Sequence, residues 1–500
     1  MSAAKRLGLV TRQASFNAVH ILLGTVAGAV NTVVVLPQAF AEQDGRWGVI
    51  IVLTSWALIF AQLLNLGTPN TLMRFMPRYK DEPAQSRALQ GFSFSMLLLG
   101  IAALGGCLLL GKEWFLSFFQ DGDAAKMRDH IGLLFILFAC MTLNVGFTGF
   151  LWARLSTTIT QFVQETFLKT TYLAAAFAYL MGWIDYTWLL WLYTSSYVIA
   201  TMILGGLAVQ RGLRPSLQWN GLPLGELVSY GLFSVLDRGI AVIVHRTDFV
   251  MMAILLSLSK VEAYNLAFYI AAVAMIPQKA ISAIVNPLMA KAIHAQDRTE
   301  MQTLYTKSAL NQVLVGGLIF GCTWASIDEV MLLLPERYAG GKWVVLFIGI
   351  SRLVYLMSGA AGALIQFSKW YRANFVLNLG FFALTVVSNY FCMSPDWFDL
   401  GMEGAALATA GSFVIYNAAK VVYVRQKHGM HMFSRNLVAA LLLTTIPAAA
   451  LHGWHPLEGM PFWAIVLKSG GLFAVVVATA LYLEISEDGQ LLVNKLLRRS

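Results

Sequence analysis

Long apolar runs separated by short polar loops dominate the chain. A membrane-crossing helix needs about 20 mostly apolar residues. By that measure the pattern predicts helices near 14–36, 48–67, 88–111, 131–152, 162–183, 186–209, 226–256, 262–286, 306–334, 343–366, 371–393, 401–424, 434–452 and 462–484. The sequence therefore predicts an all-α polytopic membrane protein of about fourteen transmembrane helices. Only a tight turn at Ile184 and Asp185 separates the fifth run from the sixth, and the run at 226–256 is long for one crossing. The longest loops, near 68–87, 112–130 and 287–305, are too short to hold a folded domain. Whatever the protein does, it does within the membrane or at its faces.

The loops carry a second pattern. With the N-terminus inside, cytoplasmic loops hold roughly three times as many Lys and Arg as outer ones. The outer ones carry Arg46, Lys112, Lys126, Arg128, Lys260, Arg337 and Lys342. Positive residues resist translocation, so the bias predicts cytoplasmic N- and C-termini and an even helix count. The chain also echoes itself: a shift of 217 positions lays Asn31–Trp47 on Asp248–Tyr264, and a proline follows each, Pro69 and Pro287. This predicts pseudo-symmetric six-helix lobes over 1–212 and 213–430, with 431–500 supplying two additional helices and a cytoplasmic tail. Two such lobes around a central cavity are the architecture of an alternating-access transporter.

Composition agrees with lipid as the solvent. The chain is 58% hydrophobic and 12% charged, with a mean hydropathy of +0.66; soluble domains carry about 25% charged residues. Lys5, Arg6 and Arg12 precede a full-length apolar run, which predicts an uncleaved first helix as the insertion signal. The net charge of +9 is scattered through short loops as topology signals, so no nucleic-acid partner is expected. Cys107, Cys140, Cys322 and Cys392 lie in apolar segments without a CxxC, and read as packing residues without disulfide or metal roles.

Ionisable residues inside the spans point to function, because each costs about 2.5–3.5 kcal/mol to insert and normally faces protein or water. The basic ones are Lys169, Arg238, Arg246, Lys279, Arg352 and Lys468; the acidic ones are Glu165, Asp237, Asp248, Asp328 and Glu329. On the seventh helix Asp237, Arg238, His245 and Asp248 fall within an arc of about 100°, with Arg246 on the far flank. The stripe fits a solvated cavity wall, or carboxylates neutralising the arginines. Glu165 and Lys169 have the spacing of a self-neutralising pair. Lys279 follows the helix-bending Pro277 and either lines a cavity or snorkels to the inner face. Arg352 lies too deep to snorkel, whereas Lys468 and Asp328–Glu329 fit interfacial positions. Gly67 and Pro69 break the second helix and leave Arg74 at the inner mouth, as a phosphate-capturing guanidinium or a positive-inside anchor. The cavity candidates sum to a cationic site, suited to a phosphate-bearing anion.

Motifs for other chemistry are missing. Gly340-Gly341-Lys342 lacks the first glycine of a phosphate loop, and no HExxH or GxSxG occurs. No enzyme, cofactor or metal site is expected. His428 and His431, and His452 and His455, read as loop residues without carboxylate partners.

Three stretches carry a resemblance: Gly67–Tyr79, Asp248–Pro287 with Tyr264 between, and Gly401-Met402-Glu403-Gly404-Ala405-Ala406-Leu407-Ala408-Thr409. Over roughly residues 10–430 their order and spacing resemble the Wzx-type polysaccharide flippases of the multidrug/oligosaccharidyl-lipid/polysaccharide (MOP) exporter superfamily. One departure is that Phe249 follows Asp248 where the family often has a basic residue. The resemblance implies a flippase that moves undecaprenyl-diphosphate-linked oligosaccharide from the inner to the outer leaflet of the bacterial cytoplasmic membrane. It implies rocking of two lobes around a cationic cavity, a coupling ion (H+ or Na+), and other polysaccharide-assembly proteins as partners. On that reading Arg246, Arg238, Arg352, Arg74 and Lys279 bind substrate, while Asp248 and Asp237 set arginine rotamers or bind the coupling cation. The alternatives are a drug/cation antiporter of the same superfamily, which wants an anionic cavity, and a membrane polysaccharide polymerase or ligase, which wants a long basic outer loop.

Overall fold

A computed structural model describes residues 3–42, 45–235, 239–370, 372–457 and 459–485. Among them there is no β-strand, and twelve helices are long and apolar enough to cross a membrane. The all-helical, many-span architecture expected from the sequence is the one observed. The two further crossings are those divided into pieces. Over 162–183 the chain stays helical, but a π-helical turn, Phe162–Phe167, precedes α6 (Leu168–Leu180). Over 226–256, α8 (Leu224–Ser234) and α9 (Ile240–Leu255) flank residues 236–238, which lie outside the described residues.

Residues 1–262 form one compact unit and 263–500 a second. In the first, α1 is Ala3–Val30, α2 Arg46–Leu64, α3 Thr68–Phe75, α4 Pro83–Leu116, α5 Ile131–Ala153 and α7 Tyr186–Gln210. The centre is α5, packed against α2, α3, α4 and α7. Its approach to α3 depends on Gly149, where an added Cβ would come 2.4 Å from the Cα of Pro69. The break between α2 and α3 follows from local chemistry. Asn65 Nδ2 donates to the Ala61 carbonyl at 3.0 Å, and Asn65 Oδ1 accepts from the Gly67 amide at 2.8 Å. Gly67 then takes φ +73, a conformation open to glycine, and Pro69 opens α3 in its first turn. The break at Gly67 and Pro69 is the one the sequence predicts, but Arg74 rides on a separate short helix where a loop was expected.

α10 (Leu258–Ala272) runs across the boundary, and the second unit continues with α11 Ile276–His294, α12 Arg298–Ala325, α13 Ile327–Leu332, α14 Lys342–Met357 and α15 Ala361–Phe367. Next come α16 Arg372–Met393, α17 Gly401–His428, α18 Arg435–His452 and α19 Pro461–Tyr482. A 3-10 turn, Val273–Met275, and Pro277 in the first turn of α11 make the expected break there. α12 packs against α11, α14, α18 and α19, while α17 packs against α14 and α16. The small-residue run opening α17 is a packing motif: Ala405 and Ala406 are buried, and a Cβ on Gly404 would come 2.7 Å from the Cys392 carbonyl oxygen. Small residues let membrane helices approach closely, where dispersion replaces the missing hydrophobic drive. The positions matched by the internal echo share an environment, with Asn31, Trp47, Asp248 and Tyr264 all buried.

Candidate functional site

The first unit displays its mouth arginine on an aromatic platform. α3 is tied to α8 by a hydrogen bond from Asn70 Nδ2 to Ser234 Oγ, and by Phe75 edge-on to Tyr230 at 5.6 Å. Gly67 and Gly231 allow the contact, since a Cβ on Gly67 would overlap the Gly231 backbone. Across that seam the guanidinium of exposed Arg74 sits 4.3 Å from the Tyr230 ring centroid. One turn on, Arg78 pairs with Glu226 at 3.2 Å. A guanidinium held flat on a ring keeps its N–H edge presented for a bidentate oxyanion.

On α9 the environments diverge within one turn. His245 is exposed, Arg246 half-buried with its guanidinium 5.8 Å from the Phe249 ring, and Asp248 is 3% exposed. α9 packs against α2. Asp237 and Arg238 lie outside the described residues. Glu165 and Lys169 form the expected pair at 2.7 Å, both part-buried.

The second unit holds the deepest cations. Arg352, on α14, is 6% exposed, with Phe268 at 4.9 Å and Phe413 at 5.0 Å from its guanidinium. Lys420, on α17, is 8% exposed, with its ammonium 4.1 Å from the Tyr416 ring; Tyr416 donates to Asn378 Oδ1 at 2.5 Å. Sequence reasoning missed Lys420, which is near the end of its apolar run. The signal available was its four-residue spacing from Tyr416. Lys279 is exposed on α11.

A third group corrects the sequence reading. Asp328 and Glu329 lie on α13, a short helix beyond the end of α12, and Glu329 is buried. Its carboxylate meets Lys468 of α19 at 2.5 Å and His455 at 3.1 Å, and Lys468 also donates to the Ala325 carbonyl at 3.1 Å. Lys468, expected at an interface, is completely buried because it reaches this carboxylate. Asp328 pairs with Lys342 at 2.6 Å and faces His452 at 3.6 Å. His452 and His455 thus have the carboxylate partners the sequence did not reveal, since these come from a helix more than 120 residues earlier. Burial pushes the Glu329 carboxyl up, but hydrogen bonds from Lys468 and His455 outweigh it and hold it below the ordinary carboxylate range. Within the second unit this network ties α13 to α19 and to the end of α18.

No family model matches the sequence, and no curated protein matches it. Solved structures do. The lipid II flippase MurJ in its inward closed conformation is similar over 94% of this chain and 99% of its own, at 10% identity and a TM-score of 0.72. An inward-facing multidrug resistance MATE family transporter of the MOP superfamily is similar over 84% and 94%, at 12% identity and a TM-score of 0.61. A MOP superfamily transporter from Pyrococcus furiosus, described as having a binding pocket of reverse polarity, is similar over 84% and 95%, at 11% identity and a TM-score of 0.54. At these identities the likeness shows the fold alone, one that the chain shares with these three transporters.

Proposed function

We propose that the protein is a flippase for polyprenyl-diphosphate-linked oligosaccharide, working by alternating access from the inner to the outer leaflet of a bacterial cytoplasmic membrane. The observation that carries this reading is a pair of buried cations, Arg352 and Lys420, on spanning helices of a transporter fold, where Asp248 and Glu262 are buried as well. Inserting the cations is costly, and an anionic cargo gives a reason to keep them. Arg74 presents its guanidinium from an aromatic platform and takes the first phosphate contact. Arg246 and Arg352 are the further phosphate ligands in this proposal, and Lys279 and Arg238 complete the set. Asp248 and Asp237 set arginine rotamers or hold the coupling H+ or Na+. The moving parts are the lobes at 1–212 and 213–430, and the clasped helices of 431–500 accompany the second.

The energetics need no nucleotide. An inside-negative potential favours outward movement of negative charge by about 2.3 kcal/mol per charge per 100 mV. Two phosphate charges carried without a counter-ion gain roughly 4–5 kcal/mol, enough to bias exchange strongly. The chain's lack of a phosphate-loop motif accords with that source of drive.

The test is a deletion strain in which the lipid-linked oligosaccharide is assigned to a leaflet. Build-up in the inner leaflet supports the flippase. Build-up in the outer leaflet transfers the function to polymerisation or ligation, and no build-up with altered drug tolerance transfers it to cation antiport.

A further inference from the structure

At one end of α16 and α17 the second unit carries a cavity of about 520 Å³ lined by Lys369, Trp370, Arg372, Ala373, Val376 and Tyr423. Beside it, Ser368 Oγ donates to the Ile365 carbonyl at 3.1 Å and accepts from the Trp370 amide at 3.2 Å. Two ammonium groups lie near the Trp370 ring, Lys369 at 5.2 Å and Lys427 of α17 at 4.9 Å from its centroid. The first turn of the 22-residue α16 forms another part of the wall.

The charges here are unbalanced. Among the described residues no carboxylate lies within ion-pair distance of Lys369, Arg372 or Lys427. The same is true of Lys420, more than nine-tenths buried two turns deeper on α17. Tyr416, Lys420, Tyr423 and Lys427 fall within an arc of about 60° on α17 at 100° per residue. They make one stripe of alternating rings and ammonium groups running from the buried position to the cavity. Like charges gathered without counter-charge raise each other's energy, and an anion at their centre relieves it.

We propose that this cavity binds the phosphate of a lipid headgroup, with Lys369, Arg372 and Lys427 as its charged ligands and Trp370 and Tyr423 as its walls. Its volume is that of an ordinary ligand site. It lies at the end of the spanning helices α16 and α17, where headgroups reside, and the exposed Val376 one turn into α16 offers an apolar surface to an acyl or prenyl chain. The headgroup's source is either bulk anionic phospholipid or the polyprenyl diphosphate of the proposed cargo. The site itself does not depend on the transport reading.

The experiment is native mass spectrometry of the full chain released from detergent, titrated separately with phosphatidylglycerol, undecaprenyl diphosphate and diacylglycerol. The wild type is expected to retain the two phosphate-bearing lipids and not diacylglycerol, and millimolar inorganic pyrophosphate is expected to displace them. The K369Q/R372Q/K427Q variant is expected to weaken retention by roughly tenfold or more, as loss of several charge-assisted contacts requires. Loss for undecaprenyl diphosphate alone identifies a cargo site, loss for phosphatidylglycerol alone a phospholipid site, and loss for both a general phosphate site. Retention of diacylglycerol as firm as that of phosphatidylglycerol, or unchanged retention in the variant, overturns the proposal. Should the triple variant fold poorly, the pyrophosphate competition on the wild type decides alone, and failure to displace overturns it.

Discussion

Arg352 shows how a single side chain is kept inside a membrane protein. A guanidinium is less strongly hydrated than an ammonium and stacks on rings, so two phenylalanines offset part of its desolvation cost. Shape therefore matters as well as charge. Arg352→Ala is expected to lower surface polysaccharide at least roughly tenfold at near-normal protein level, and Arg352→Lys to restore little of it. Full export in R352A would remove Arg352 from the substrate path. Arg74 differs because it is exposed, over Tyr230 and Phe75: Arg74→Lys keeps the cation–π contact and is expected to retain most export, while Arg74→Ala does not. At this scale the sequence was informative about which residues were unusual, but not about what they touch. Arg74 and its ring Tyr230 are far apart along the chain, and no local pattern joins them. Lys420 was legible only through its spacing from Tyr416.

At the scale of elements, the apolar runs located the helices, and the breaks at Gly67–Pro69 and Pro277 were readable from backbone chemistry alone. The π turn at Phe162–Phe167 was not, because a one-residue change in hydrogen-bond register leaves no mark on hydropathy. The clasp of α13 onto α19 was equally hidden. Lys468 looked like an interfacial lysine until the fold brought Glu329 to it from 139 residues away. Removing one member of a buried pair strands the other, so Lys468→Met is expected to destabilise by about 3–5 kcal/mol. The double variant Glu329→Leu/Lys468→Met is expected to recover most of that loss, and thermal unfolding in detergent measures both. Additive losses in the double variant would show that the pair is not coupled.

The same clasp predicts a pH dependence. Glu329 is held below its unfolded value of about 4.3, so its stabilisation is complete above that value and is lost as pH falls through the lowered folded one. The wild-type Tm is expected to drop as the medium is acidified through that range, and the Glu329→Leu/Lys468→Met variant to drop less. Equal acid sensitivity in the two proteins would assign the effect to other carboxylates.

For the whole molecule, hydropathy and loop charge were enough to reach the architecture, because lipid imposes the same rules on every span. The fold it shares with lipid and drug transporters of the MOP superfamily came from three-dimensional similarity at 10–12% identity. Orientation is a prediction at this scale. Single cysteines introduced at Asp81 and Glu336 are expected to be protected from and open to an impermeant thiol reagent in whole cells, respectively. The reverse labelling would invert every loop.

The central claim is that the protein, through buried cations such as Arg352, carries a polyprenyl diphosphate between leaflets without nucleotide. Proteoliposomes holding the full chain and a fluorescent undecaprenyl-diphosphate oligosaccharide test it most directly, by dithionite quenching of the label at either face. The account predicts translocation above protein-free vesicles, faster under a potential that favours outward negative charge, and at least roughly tenfold slower with Arg352→Ala. Translocation no faster than in protein-free vesicles, or identical rates in wild type and R352A, would contradict it.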